Sequence, residues 1–335
     1  MTPPVIAVVI PARNAEVTLE DAVNSALKQS VDGEVEICVA VGPSIDRTAE
    51  IAHSFADTDS RITVVDNPSG VTSAGLNAAI RATTAPVIAR LDAHAEFKSP
   101  KYLTNAVETL NSTGAVNVGG LQNPYCQTTF EKAVGAAMVS RLGAGDARYR
   151  IGGAPGPVDT VYLGVFRRDA LQRVGLFDEK LLRNQDAELN WRLRQAGGTV
   201  FFDPNLVVNY RPRSTFRGLA SQYFGYGRWR RLVVGINPRA LKLRQIIPPL
   251  TLFLLLLGLV GGWLWMPLFF LPISYLFVVL AGSTVVGLRY GHLETVVLLL
   301  VIFPTIHLSW GLGFLIGIPK RIFNEGSSLG SFVSE

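Results

Sequence analysis

The sequence predicts an α/β domain with a mostly parallel sheet, followed by a C-terminal α-helical membrane region. Three observations carry this expectation. Short continuous apolar runs alternate with helical patterns through the front of the chain. Residues 245–288 form 44 consecutive positions without a charge, and 295–319 add 25 more. Charge is also partitioned: the net is +5, of which residues 204–335 carry +9, leaving −4 for residues 1–203. With 48% hydrophobic and only 17% charged residues, the composition excludes a purely soluble globular protein and a disordered chain. Cys38 and Cys126 are too few for a disulfide scaffold or a metal knuckle.

Each front element has its own signal. Val5–Ile10 is a continuous apolar run ending at Pro11, as in a strand buried on both faces. Asn14 can cap a helix over Ala15–Gln29, with Val17, Ala22, Ala26 and Leu27 on one side. Val35–Val41 is a second buried strand, Asp46–Phe55 a helix and Ile62–Val65 a short strand. Ser73–Ala82 is helical, and Pro86–Leu91 is a strand stopping at Asp92. Pro11, Gly42, Asp46 and Asp92 thus fall beyond carboxyl ends of strands, where such sheets bind ligands. Residues 143–157 hold five glycines and two prolines, the composition of a surface connection or an active-site lid.

The back half reads as membrane. As helix, 44 residues span about 66 Å, two crossings of a bilayer core of about 30 Å. Gly261, Gly262 and Pro267 mark a turn flanked by Trp263 and Trp265, giving spans near 246–264, 269–288 and 295–318. Pro304 and His307 allow the last of these to break instead into a re-entrant or double pass. Between Pro204 and Gln245 stand eight arginines, one lysine and no acid. Followed by apolar spans, this collar favours anionic lipid over nucleic acid. By the positive-inside rule it and Arg289 stay cytoplasmic, whereas Lys320 and Arg321 would fall on the opposite side after three spans. Val5–Ile10 is too short for a signal peptide and lacks a basic leader, so the front domain is expected in the cytoplasm of a multi-pass inner-membrane protein.

Four constellations can carry chemistry. Asp92-Ala93-His94 follows a strand end, and residues at i and i+2 on extended backbone point the same way, toward one divalent cation. A turn aspartate beside a solvated histidine has the same sequence. Asn184 to Glu188 opens a helix running to Gly197-Gly198; an acid there favours the helix N-terminus or, facing a cleft, serves as general base. Arg211-Pro212-Arg213 follows the short strand Leu206–Asn209 and suits phosphate oxygens, although a basic loop near lipid looks alike. Residues 216–234 mix aromatics with Arg217, Arg228, Arg230 and Arg231, as in an interfacial amphipathic helix.

Together, in order and spacing, these residues resemble the family 2 glycosyltransferases of GT-A fold. Within them the chain is similar to the membrane-anchored ExoA-type enzymes of succinoglycan and related exopolysaccharide assembly. The segments that carry the resemblance are Ile10–Asn14, Ser44–Thr48, Gly75–Asn77, Arg90–Ala95, Val158–Val161, Gly175–Glu179, Asn184–Asn190, Tyr210–Arg213 and Gln222 through Arg230.

The resemblance implies that Asp92 binds a metal, Mn2+ or Mg2+, bridging the donor diphosphate, with His94 standing where many relatives have a second Asp. Asp186 would be the base for direct, inverting displacement at the anomeric carbon. Pro11, Arg13, Asn14 and Asp46 would lie around the nucleotide, and Asn77 and Arg90 near the ribose and diphosphate. Arg211, Arg213, Gln222, Arg228 and Trp229 would face the leaving diphosphate and the acceptor. Three departures stand out. Val41-Gly42 replace an acidic pair contacting the base, and Gln185 replaces a Glu, removing one upward pull on the pKa of Asp186. The third, His94 with Arg211 and Arg213, allows arginine to share the metal's electrostatic role.

The resulting expectation is a cytoplasmic GT-A domain over 1–213, a basic interfacial collar over 214–244, about three spans over 245–319 and a tail over 320–335. It would move one hexose from a nucleotide-sugar, UDP-linked, to a polyprenyl-diphosphate sugar. The alternatives are a polyprenyl-monophosphate sugar synthase and a non-catalytic membrane scaffold retaining a decayed transferase fold.

Overall fold

The computed structural model describes residues 4–236, 238–290 and 293–317. The chain divides into two compact units, one of residues 1–123 with 152–210, the other of 124–151 with 211–335.

In the first unit β1 (Pro4–Ala12), β2 (Glu34–Val41), β3 (Ile62–Asp66) and β4 (Val87–Arg90) run parallel in the order β3-β2-β1-β4. The helices α1 (Leu19–Leu27), α2 (Thr48–Thr58) and α3 (Thr72–Ala82) connect them. The chain continues through β5 (Ala95–Phe97), α4 (Tyr102–Thr113) and β6 (Asn117–Pro124). It then supplies α5 (Thr129–Met138), α6 (Arg141–Ala144) and α7 (Arg148–Ile151) to the second unit. It returns as β7 (Gly156–Pro157), β8 (Tyr162–Arg167), α8 (Arg168–Arg173), α9 (Gln185–Gln195) and β9 (Val200–Tyr210). The sheet extends past β4 in the order β8-β6-β9-β5, with β7 on β9, and the pairs β4/β8, β6/β8, β5/β9 and β7/β9 are antiparallel. The front of the chain thus folds as the expected parallel alternation, and the later strands make the whole sheet mixed.

The apolar runs are explained by two cores, one on each face. Ile6, Val8 and Ile10 of β1 pack with Leu19, Val23, Ile37 and Leu103, whereas Ala7 and Val9 pack with Cys38, Leu76, Ile80 and Leu189. A strand buried on both faces has no polar side, so no alternation survives in its sequence. Gly120 of β6 is required, because a Cβ there would lie 1.8 Å from the Leu206 carbonyl oxygen of β9.

Helix α1 starts at Leu19, four residues later than expected, and Asn14 does not cap it. Asn14 adopts φ 46°, and its Oδ1 accepts from the Ile45 N–H. The next two backbone N–H groups donate to Thr48 and Asp46, so residues 14–18 form a loop tied to the start of α2.

The second unit is helical. Besides α5–α7 it holds α10 (Phe216–Ile236), a 3-10 turn over Pro238–Ala240, α11 (Leu243–Gly261), a 3-10 turn over Met266–Phe269, α12 (Phe270–Arg289) and α13 (Leu293–Ile316). Three stretches, Leu243–Gly261, Met266–Arg289 and Leu293–Ile316, are long and apolar enough to cross a membrane. Each lies within three residues of an expected span, except that residue 318, the expected end of the third, lies outside the described residues. Large apolar side chains such as Phe253, Phe277 and Val297 are exposed along them, as lipid contact demands. Pro304 does not break the last segment: α13 is one continuous helix. His307 is held at both ring nitrogens, Nε2 donating to the Leu142 carbonyl (2.9 Å) and Nδ1 accepting from the Tyr275 hydroxyl (3.1 Å). Helix α10 packs along α13 at glycines, since a Cβ at Gly227 would lie 2.1 Å from the Trp310 carbonyl and one at Gly313 2.1 Å from the Phe224 carbonyl. Lys320 and Arg321 lie outside the described residues.

Candidate active site

The register of the parallel strands sets where the site can be. Val9 of β1 pairs with Arg90 of β4, and Ala12 pairs with Val41 of β2, so three carboxyl ends share one sheet edge. Pro11 is the penultimate residue of β1, opposite Ala40 of β2. Just beyond it, the Arg13 Nε donates to the Pro43 carbonyl (3.2 Å). Asp46 accepts from the Glu16 and Thr48 N–H groups, both at 3.1 Å, and from the Thr48 hydroxyl at 2.5 Å. Against desolvation, these bonds hold its carboxyl below the usual aspartate range. Arg13, Asn14 and Asp46, all expected around a nucleotide, therefore brace the loops after β1 and β2 against each other.

Asn77 is placed differently. Buried in α3, it donates to the Phe177 carbonyl (2.9 Å) and Glu179 Oε1 (2.8 Å) and accepts from the Phe177 N–H (3.0 Å). Its amide latches residues 177–179, the approach to α9, onto α3. Glu179 and Phe177, which the sequence placed in the segment Gly175–Glu179 but gave no role, thereby help to position the start of α9.

At the centre of the edge lies a buried arginine between two carboxylates. Arg90, only 3% exposed, ends β4; its Nε donates to Asp92 Oδ1 (2.8 Å) and its Nη2 to Asp92 Oδ2 (3.2 Å). Its Nη1 donates to Asp186, the second residue of α9. The ring of Phe177 lies under the guanidinium, 5.9 Å from its centroid. Arg90 and Asp92 meet because residues two apart on extended chain face one side. Asp186 reaches them because Asn184, at φ 62°, turns the chain into α9 just beforehand.

The electrostatics separate the two acids. Burial raises the Asp92 pKa, but Arg90 and His94 outweigh it, so this carboxyl stays below the ordinary value. For Asp186, burial together with the charge of Asp92 outweighs Arg90, so its pKa lies above the ordinary value. The upward pull that Gln185 does not supply comes from Asp92 instead. His94 stands edge-on to Tyr210, with ring centroids 5.6 Å apart. No group of three or more His, Cys, Asp or Glu gathers into a ready-made metal cage among the described residues.

The remaining expected residues belong to the helical unit. Arg211 Nε donates to Glu131 Oε1 (2.9 Å), and Glu131 is fully buried, also accepting from the Gln127 and Thr128 N–H groups at 2.7 and 3.0 Å. Arg213 is exposed. Gln222 is buried and donates to the Tyr226 hydroxyl (3.1 Å). Arg228 Nε donates to the Gly317 carbonyl (3.2 Å) while its guanidinium covers Phe224, and Trp229 is buried. The structure thus brings Arg90, Asp92 and Asp186 into direct contact, gathers Arg13, Asn14 and Asp46 into a separate brace, and leaves Asn77 in a latch of its own.

This geometry has relatives. A family model described as glycosyl transferase family 2 matches residues 7–175. The succinoglycan biosynthesis protein ExoA of Rhizobium meliloti is 31% identical over 319 residues, which cover 92% of this chain and 93% of that protein. Among solved structures, the mannosyltransferase PcManGT from Pyrobaculum calidifontis, in complex with GDP-Man and Mn2+, superposes with a TM-score of 0.59 at 16% identity, over 96% of this chain and 88% of that one. The S. aureus TarS 1–349 complex with UDP gives a TM-score of 0.51 at 14% identity, over 69% of this chain and 64% of that one, under two thirds of its length. The structural likenesses show a shared GT-A fold. With a family model over half its length and a relative over nearly all of it, this chain belongs to glycosyl transferase family 2 and is a glycosyltransferase.

Proposed function

We propose that the chain moves one hexose from a nucleotide-sugar, UDP-linked, to a polyprenyl-diphosphate-linked acceptor at the inner face of the cell membrane, with inversion, in exopolysaccharide assembly. The observation that carries this reading is the contact of Arg90 with both Asp92 and Asp186 at the sheet edge. Asp186, with its raised pKa, takes the proton of the acceptor hydroxyl while that oxygen bonds to the anomeric carbon. The bond from that carbon to the donor diphosphate breaks, and its electron pair leaves on the diphosphate. Arg90 orients both carboxylates and keeps positive charge near the leaving group.

Asp92 and His94 are the residues that would hold a divalent cation; they flank a turn closed by the Ala95 N–H on the Asp92 carbonyl, not the expected extended backbone, and an ion would share the Asp92 carboxylate with Arg90. An ionised carboxylate and an imidazole two residues on suit Mn2+ or Mg2+, and such ions complete their shells with substrate phosphates. When bound, the ion would neutralise charge on the leaving diphosphate. The ExoA name supports the exopolysaccharide setting, UDP in the TarS complex supports the nucleotide, and Mn2+ in the PcManGT complex supports the ion. Three apolar helices preceded by the arginine-rich α10 support a membrane-borne acceptor and a cytoplasmic domain.

The test is donor turnover by the full chain in detergent. UDP-, GDP- and dTDP-sugars are screened with a bacterial lipid extract, with and without Mn2+ or EDTA, in wild type and Asp186→Asn. Asp186-dependent transfer from a UDP-sugar to a lipid product supports the reading. Transfer from another nucleotide replaces the UDP assignment, and full activity in Asp186→Asn removes the assigned base. No turnover of any donor with a competent extract favours the scaffold. Full activity in excess EDTA assigns the charge-neutralising role to the arginines.

A further inference from the structure

In the helical unit the described residues hold 14 Lys and Arg against three acids, Glu131, Asp146 and Glu294. Glu131 pairs with Arg211 and Asp146 with Arg244. Arg150 has neither: among the described residues no carboxylate pairs with it. Of its five N–H donors one is engaged, Nη1 to the Tyr223 hydroxyl at 3.0 Å. Around it are aromatic rings, the guanidinium lying 5.7 Å from the Tyr149 centroid and Tyr223 meeting Tyr226 edge-on at 5.6 Å. Gln222 bonds the Tyr226 hydroxyl beside them. A partly desolvated guanidinium that stays protonated and has no counter-ion is unfavourable until an anion reaches it. Planar, multi-donor guanidinium groups match phosphate oxygens, and phenol hydroxyls add neutral donors.

We infer that Arg150, with Tyr223 and Tyr226, forms the binding site for the diphosphate of the prenyl-linked acceptor. This rests on the lipid-acceptor reading above and deepens it. A lipid ligand is favoured over a soluble anion because Tyr223 and Tyr226 belong to α10, which packs along the apolar helix α13. A prenyl chain leaving this cluster would have an apolar surface to follow. Arg150 would be a binding residue for the acceptor, distinct from the Arg90 cluster in the sheet unit.

The test uses the full chain in neutral phosphatidylcholine nanodiscs, with farnesyl diphosphate, farnesol, UDP and phosphatidylglycerol vesicles as probes in calorimetry. Arg150→Met is expected to weaken farnesyl diphosphate binding about 10- to 100-fold, the loss of hydrogen bonds to a charged group, and Tyr223→Phe by about 3- to 10-fold. Farnesol and UDP binding stay at wild-type values in both. Wild-type farnesyl diphosphate affinity in a folded Arg150→Met overturns the inference. If Arg150→Met does not fold, the same result in Tyr223→Phe and Arg150→Lys together overturns it. Equal losses for farnesyl diphosphate and UDP reassign the site to the donor, and equal losses for phosphatidylglycerol reassign it to bulk lipid; both overturn the proposal. Wild type binding farnesyl diphosphate no better than farnesol defeats the lipid-diphosphate reading itself, an outcome separate from normal binding by wild type and variant alike.

Discussion

Replacing Arg90 with glutamine removes the cation that bridges Asp92 and Asp186 and leaves a shorter, neutral polar side chain. In the wild type Arg90 is 3% exposed and makes hydrogen bonds to both acids, so the substitution leaves two carboxylates facing each other in a poorly solvated pocket. Breaking a buried ion pair by removing one partner costs about 3–5 kcal/mol. For a unit of this size each kcal/mol moves the midpoint by about 2–4 °C, so a drop on the order of 10 °C is expected at pH 7. The pH dependence has a definite sign. Without Arg90 both acids bind protons more tightly in the folded state than in the unfolded chain, so the penalty is present when both are ionised. It shrinks as pH falls through the raised folded pKa values. Asp186→Asn removes one of the two facing charges, and Arg90→Gln/Asp186→Asn should therefore recover more than half of the loss. Thermal unfolding in detergent, followed by fluorescence of a variant that keeps Trp191 of α9 and has its four other tryptophans replaced by phenylalanine, reads this directly. A drop below about 2 °C, or a defect unchanged between pH 8 and 5, would refute the argument that Arg90 holds the two acids together.

Three further outcomes follow from the same geometry. Asp186→Asn should lower kcat by about 10²–10⁴ while donor affinity stays within threefold, and the acid limb of the wild-type pH–kcat/KM profile should lie above the ordinary aspartate value. Glu131→Ala leaves two backbone N–H groups without their acceptor, beside a half-exposed Arg211, and should cost about 1–3 kcal/mol, read as a lower unfolding midpoint. Because its bonds hold the Glu131 carboxyl below the usual range against burial, that stabilisation is full above the unfolded pKa and disappears as pH falls through the folded one, which acid titration of wild type against Glu131→Gln will show. Gly313→Ala sets a methyl 2.1 Å from the Phe224 carbonyl and should destabilise the α10–α13 packing by about 1–3 kcal/mol, measurable as a lower midpoint and faster proteolysis of α10.

Much of the fold was legible because burial writes itself into local pattern. Strand β1 and the second half of β2 are apolar on both sides since cores lie on both faces, and the three long helices declare themselves by length and the scarcity of charge. Asn14 misled because Asn is a common helix cap, and nothing nearby in sequence reveals that it is drawn instead to Ile45. Strand β6, Asn117–Pro124, is rich in Gly, Asn and Gln and carries no strand signal; it is a strand because β8 and β9 flank it and Gly120 lets the Leu206 carbonyl approach.

The candidate site divides the same way. Asp92, His94 and Asp186 were singled out as candidates from a strand end and a helix start. That Arg90 joins Asp92 to Asp186 was not, because Arg90 and Asp186 are 96 residues apart and their meeting depends on β4 and α9 packing in one unit. Nor could the sequence assign residues 124–151 to the helical unit, or pair Glu131 with Arg211 across 80 positions. By itself the sequence determined what is decided within a few turns of chain: the parallel front of the sheet, the apolar helices, the basic collar and the chemical types at the strand ends. Only the tertiary structure decided which charges neutralise each other and which acid is pushed upward, because burial and long-range partners set those energies, and both exist only once distant segments meet.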